Sequence, residues 1–334
     1  MSLRHLLFIL CIVLTAMAAS AQKACDVPMD IVAVEKASNT GGIIRGLKVE
    51  DLAATIGKST PLSIESLTYD AAPRRIIFVI DTTHQLPKDA RKAEALTAAY
   101  ILDRARPMDS FALITARGTA REIKFEQGRD TVKQALADLS GDVHEKNSNL
   151  GVLDAVEQGL EWLGSPKPGD AIFLLAMDTE GNHKTNAAKI AQQLEKQQVR
   201  LFSIAFGFVN LNYNVKSTQT TTSSALATVT RDEGTLVYDN GEQNVYPLTV
   251  NSGGLLHTDN AMDEHRAFVL AQRLPQLQKV GMQFYQIMAE FYHMNVNLPD
   301  GKAAGWTVEL SSKARERWLP VWSVYPRVVN GCGK

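Results

Sequence analysis

From residue 74 onward the chain switches repeatedly between solid apolar runs and stripes of helical period. Ile76 to Ile80 (IIFVI) is apolar at every position, the pattern of a strand buried on both faces. Lys88 to Arg106 predicts a helix, with Ala93, Leu96, Ala99, Tyr100 and Leu102 on its apolar face. Asp109 to Ala116 reads as a strand, and Arg121 to Phe125, which alternates, as an edge strand. Thr131 to Leu139 and Asn149 to Leu163 predict helices, and Ala171 to Met177 (AIFLLAM) a second fully buried strand. Asn186 to Gln198 predicts a helix and Arg200 to Gly207 a strand. Ser224 to Arg231 reads as a short helix and Thr235 to Asp239 as a last strand. Strands alternating with helices predict βαβ units. The expected fold is therefore α/β, a doubly wound, mostly parallel sheet.

The flanks carry a different pattern. Residues 22–72 contain short alternating runs and a Gly-Lys turn, and predict a small N-terminal β module. Residues 246–334 predict one or two helices broken near Pro275, then strands around the Pro299-Asp300-Gly301 turn. The α/β domain is expected over 73–245, and Asn240 to Asn260 reads as a linker or lid. Leu211 to Ser224, rich in Asn, Ser and Thr, reads as a loop at the carboxyl edge of the sheet. Trp306, Trp318, Trp322 and Tyr325 are expected to be core of the C-terminal module.

The first residues belong to neither pattern. Arg4 and His5 precede Leu6 to Met17 (LLFILCIVLTAM), and Ala19-Ser20-Ala21 comes after it. A short apolar run with a basic start and a small-residue cleavage site predicts a signal peptide over 1–21 and a mature chain from Gln22. The protein is then secreted or periplasmic. No later stretch is apolar enough to span a membrane. Cys11 leaves with the signal, so Cys25 and Cys332 remain. In an oxidising compartment the two can pair, which is the favoured reading. Two free thiols are the alternative, and a lipid-anchored Cys25 is a third for which Gln22 and Lys23 fit badly. The formal net charge of −1 and the absence of a basic block argue against nucleic acid as a partner.

Candidate chemistry concentrates at strand ends, because ligands of such sheets lie beyond the carboxyl ends of the strands. Asp81 comes directly after IIFVI and Asp178 directly after AIFLLAM, so two carboxylates are expected to meet there. Other motifs fail. Ile56 to Thr60 (IGKST) looks like the tail of a phosphate-binding loop, but Leu52 stands where its first glycine belongs. No nucleophile elbow, zinc-protease motif or C-x-x-C occurs. Glu180 reads as a solvated charge, and His84 as a surface residue without a second histidine in register.

DTTHQ (Asp81 to Gln85), SNLG (Ser148 to Gly151) and LLAMD (Leu174 to Asp178), in this order after strands and before helices, resemble the von Willebrand factor type A domain. SALATVTRDEGTLVY (Ser224 to Tyr238) resembles that family's last helix and strand. The resemblance covers residues 73 to 240, about half the chain. Together with the flanks it is similar to secreted acidobacterial-type proteins that carry a related domain. It implies a metal-ion-dependent adhesion site holding Mg²⁺ or Mn²⁺ through Asp81, Thr83, Ser148 and Asp178, with an acidic group of a protein partner completing the shell. Oxygen donors and retained waters suit such hard cations. Gln85 stands where the family has a second serine hydroxyl, and its longer carboxamide must fold back or give way to water. The same residues can also serve as a helix cap and polar cluster. The expected function is thus an exported, non-enzymatic binding or scaffold protein. The alternatives are a metal-assisted hydrolase of the cell envelope and a structural envelope component with a vestigial site.

Overall fold

A computed structural model describes residues 24–35, 42–57, 59–83, 86–141, 147–148, 150–177, 185–206, 220–222, 229–231, 245–259, 269–298 and 302–330. Its centre is a six-stranded sheet in the order Leu256–Asp259, Arg200–Phe206, Ala171–Met177, Arg75–Asp81, Ser110–Ala116, Glu122–Ile123. The first five strands are parallel and the short edge strand is antiparallel. The expected α/β architecture holds.

The apolar runs explain the layering. In the Arg75–Asp81 strand, Ile76, Phe78 and Ile80 join one apolar cluster with Ala93, Leu102, Leu136 and Phe284. Ile77 and Val79, pointing the other way, join a second with Val156, Leu160, Ile190 and Leu248. Alternate residues of a strand face opposite sides, so a strand apolar at every position needs cover on both. The helices Lys88–Arg104, Gly128–Ser140 and Leu270–Ala289 contribute to the first cluster, and Val152–Leu163, Ala187–Gln197 and Val245–Asn251 to the second. The Leu270–Ala289 helix runs unbroken through Pro275. None of the described helices is long and apolar enough to cross a membrane.

Three features depart from the sequence pattern. Residues expected to link or cover the site, 240–260, instead include the Val245–Asn251 helix and the Leu256–Asp259 strand, which pairs with Arg200–Phe206. Val229–Arg231 is a strand antiparallel to Thr220–Thr222, where a helix was expected to end. The expected Thr235 to Asp239 strand lies outside the described residues. The two flanks also share their sheets. Cys25–Glu35 lies between Phe291–Val296 and Trp318–Val324, and Leu52–Ile56 between Trp306–Leu310 and Thr60–Leu62. Trp306 is buried there, 5.0 Å from the Tyr325 ring, with its indole N–H on the Pro326 carbonyl at 3.1 Å.

This β assembly meets the central sheet at the amino ends of its strands. Arg74 and Arg200, both 1% exposed, each place the guanidinium 4.3 Å from the Phe291 ring centroid. Arg200 is ion-paired with the fully buried Asp30 of the Cys25–Glu35 strand. Arg74 donates to the Asp70, Ala289 and Pro168 carbonyls at 2.9, 3.2 and 3.2 Å and pairs with the Asp70 carboxylate. Gly169, at φ 85°, leaves room for it, since a Cβ there would lie 2.6 Å from Arg74 Nη1. Burial pushes the Asp30 carboxyl up to about 7, against the pull of Arg200 and Arg74.

Breaking this joint from one side leaves a buried charge without its partner. Arg200→Met is expected to cost about 3–5 kcal/mol in urea unfolding. Adding Asp30→Leu should restore part of the loss, giving a favourable coupling in the double-mutant cycle. Simple additivity of the two losses would mean that the pair does not hold the β assembly to the sheet.

Candidate functional site at the carboxyl edge

The strand order reverses beside Arg75–Asp81. The chain moves to Ser110–Ala116 on one side and later to Ala171–Met177 on the other. Such a switch point opens a crevice at the carboxyl ends, and Asp81 is the last residue of its strand. It is fully buried. Its Oδ1 accepts from the Thr83 N–H and from Arg117 Nε, each at 3.1 Å, and its Oδ2 is paired with Arg117 Nη2. The Thr83 contact turns the backbone at the strand end. The Thr83 carbonyl in turn accepts from Leu86 N and Arg91 Nη1, both at 3.3 Å, just before the Lys88–Arg104 helix.

Arg117 comes directly after the neighbouring strand, whose Ala116 is in register with Asp81. Its φ of 43° lies in the left-handed region, uncommon outside glycine. The position is tied from several sides. Arg117 N–H donates to the Leu150 carbonyl at 2.9 Å, and the Thr82 hydroxyl donates to the Arg117 carbonyl. A Cβ on the adjoining Gly118 would lie 2.1 Å from the Thr82 carbonyl oxygen, so only glycine fits.

The second loop is drawn to the same place. Ser148 is the backbone partner of Gly118 in a short antiparallel ladder. Gly151 caps the Val152–Leu163 helix, with its N–H on Asp154 Oδ2 at 3.3 Å, and Asp154 Oδ1 takes the Thr185 N–H at 2.9 Å. Of the residues expected to form the site, Asp81 and Thr83 are adjoining and buried, and the Ser148 backbone lies against Gly118. The Ser148 side chain, His84, Gln85, Asp178 and Cys332 lie outside the described residues.

The sequence pattern missed three residues. The signal for Arg117 is its place directly after the strand that neighbours Asp81, and reading it requires the strand order. Asp154 stands three residues after Gly151, at the N3 position of a capping box. Glu94 was hidden by the assumed helix face. Ala93 and Leu102 are buried as expected, but Leu96, Ala99 and Tyr100 are only half-buried, and Glu94, Thr97, Ala98 and Ile101 lie inside. The helix contacts both the Gly128–Ser140 and Leu270–Ala289 helices as well as the sheet, which widens its buried arc.

Both Glu94 carboxyl oxygens are buried without a hydrogen-bond partner among the described residues. Burial first, and then the Asp81 charge, push this carboxyl well above the usual range, against the pull of Arg117 and Arg91. The charged form of Glu94 is therefore disfavoured, with the Asp81–Arg117 pair among the charges it feels. In this arrangement the Arg117 guanidinium meets both oxygens of the Asp81 carboxylate. Among the described residues no three His, Cys, Asp or Glu side chains are grouped to hold a metal ion.

No family model matches the chain, and no curated protein matches it. Among solved structures, proximal thread matrix protein 1 from the mussel byssus is 13% identical with a TM-score of 0.44. The match covers 70% of this chain and 50% of that one, so the chain spans half the length of the mussel protein. Another structure of that protein is described with a zinc-occupied MIDAS motif. A conserved hypothetical protein, BatB from Bacteroides thetaiotaomicron, is 16% identical with a TM-score of 0.41, covering 64% of this chain and 98% of that one.

The Glu94 carboxyl has a direct consequence for stability. Its folded pKa is raised, so as pH rises above about 4.5 the unfolded chain releases a proton that the native state keeps. Stability then falls with rising pH until the native carboxyl also ionises. Glu94→Met is expected to flatten that slope and to stabilise the protein at pH 8 by about 1–3 kcal/mol, the range for an unsatisfied buried polar group. Urea midpoints at pH 5 and pH 8 measure it. An unchanged slope in the variant would show that Glu94 is not the group responsible.

Proposed function

We propose that the chain is an exported, non-enzymatic binding or scaffold protein. Its von Willebrand factor A-like domain engages a protein partner at the edge formed by Asp81, Thr83, Ser148 and Asp178, and Cys25 and Cys332 form a disulfide. The observation that carries the reading is the tying of two separate loops to one switch point. Arg117 bridges Asp81 of the first loop and the Leu150 carbonyl of the second. An edge assembled from loops on a sheet is where binding residues belong.

The described chemistry favours binding over turnover. Asp81 is held by Arg117 and Thr83, and Glu94 is buried, so neither carboxyl is placed to take a proton from a substrate or water. The pairing of Cys25 is supported by its burial at the start of the Cys25–Glu35 strand. Val329, three residues before Cys332, packs on the same apolar cluster as Cys25.

Two measurements test this. A partner captured from the native envelope fraction by the wild-type protein should be lost with Asp81→Ala and retained with an exposed flank change such as Leu319→Ser. Equal capture by the Asp81 variant would move the binding surface elsewhere. The intact mass of the exported protein should fit a chain starting at Gln22 with no free thiol, and should rise on reduction. Two alkylatable thiols before reduction would remove the disulfide from the reading.

A further inference from the structure

We propose that the Arg117 guanidinium occupies the cation position of this edge, so that the chain neutralises Asp81 itself and the edge binds without Mg²⁺ or Mn²⁺. The inference rests on reading the edge as the binding surface. Four observations carry it.

The contact is a fork. Nε and Nη2 of one guanidinium meet both oxygens of one carboxylate, the geometry that gives an Arg–carboxylate pair direction as well as strength. A metal bound to Asp81 would have to share one of those oxygens with the guanidinium. The pair is also well shielded, with side-chain exposures of 16% for Arg117 and zero for Asp81. Charges in such a place are weakly screened, so a divalent ion arriving beside the guanidinium meets a repulsion that solvent does little to relieve.

The backbone aims the side chain. A left-handed non-glycine residue is costly and persists where its surroundings over-determine it. Here the Leu150 carbonyl, the Thr82 hydroxyl and the glycine-only approach at Gly118 supply that determination. Finally, register brings the two residues near each other. Asp81 and Ala116 are paired in adjoining parallel strands, so the chain turns at Arg117 close to the end of the Asp81 strand, where its left-handed backbone breaks the strand alternation. A loosely placed surface arginine would have none of these constraints.

The test is Mn²⁺ binding to the purified protein, monitored by loss of the free-ion electron paramagnetic resonance signal. The wild type is expected to show no saturable site up to about 1 mM, the weak end of natural divalent sites. Arg117→Gln is expected to gain one site, and adding Asp81→Asn to it should abolish that site. Saturable binding by the wild type that Asp81→Asn removes would overturn the proposal. A folded Arg117→Gln protein that gains no site would overturn it too. If that variant does not fold, the wild-type titration with its Asp81→Asn control decides. Arg117→Lys, which keeps the charge but not the fork, is a second check and should remain without a site. Partner capture separates this from the function proposed above. Capture that needs Asp81 and survives EDTA agrees with both. Capture indifferent to Asp81→Ala defeats the binding-edge reading and leaves the Mn²⁺ result standing.

Discussion

The stacking of Arg74 and Arg200 on Phe291 is the joint on which the arrangement of this chain depends. Arg74 immediately precedes the central strand, Arg200 opens its second neighbour, and Phe291 opens a strand of the β assembly. Two like charges over one buried ring would repel, and the surroundings answer each of them. Asp30 faces Arg200, and Asp70 with three backbone carbonyls faces Arg74. The ring offers its π face to both cations. Because Asp30 and Asp70 come from the N-terminal flank and Phe291 from the C-terminal one, the joint needs both flanks at once. That is consistent with flanks that interleave strands in common sheets.

The opposite end of the same strands solves a related problem differently. The middle of the sheet is apolar, so polar groups gather where strands emerge. At the amino ends, arginines supplied by the sheet are neutralised by carboxylates of another layer. At the carboxyl ends, Asp81 is paired with the residue just past its neighbouring strand, and burial disfavours the charged form of Glu94. The first arrangement couples layers. The second is local, made within about one strand spacing, and leaves the loops above the edge to be shaped by other contacts such as Asp154 with Gly151 and Thr185.

Much of the fold was legible because the apolar patterns were strong. The five parallel strands include four that read as near-continuous apolar runs, and the helix expected from Asn186 is present, with Asn186 accepting from Lys189 N–H at 2.8 Å as its cap. The fifth, Leu256–Asp259, was not legible. Its sequence LHTD is short and polar, and it forms because the Arg200–Phe206 edge needs a partner. The interleaving of the flanks depends on contacts between residues more than two hundred positions apart, which no local period reports. At the edge, Asp81 and Thr83 could be placed from the strand–Asp–Thr pattern. Arg117 could not, because its role comes from register between strands, and Glu94 could not, because a charged residue on a helix reads as outward until packing on two sides encloses it.

A tethered cation and a free one differ in the demands they make on the protein. Mg²⁺ brings two charges but surrenders its waters reluctantly and demands near-octahedral oxygens, which the Gln85 position makes harder to supply. Arginine brings one charge and needs only a carboxylate edge, and its guanidinium is more weakly hydrated than a compact ion. Its cost is conformational, visible in the left-handed backbone at Arg117. Against that, covalent attachment replaces a dissociable ligand by an intramolecular one with a high effective concentration, so the Asp81 charge stays compensated whatever the metal content of the surroundings. Arg117 meets the Asp81 carboxylate with a single charge, while burial and the Asp81 charge raise the Glu94 carboxyl. Asp81 and Arg117 act on the Glu94 carboxyl in opposite directions, the first raising it and the second lowering it, so removing Arg117 would expose Glu94 to the uncompensated Asp81 charge.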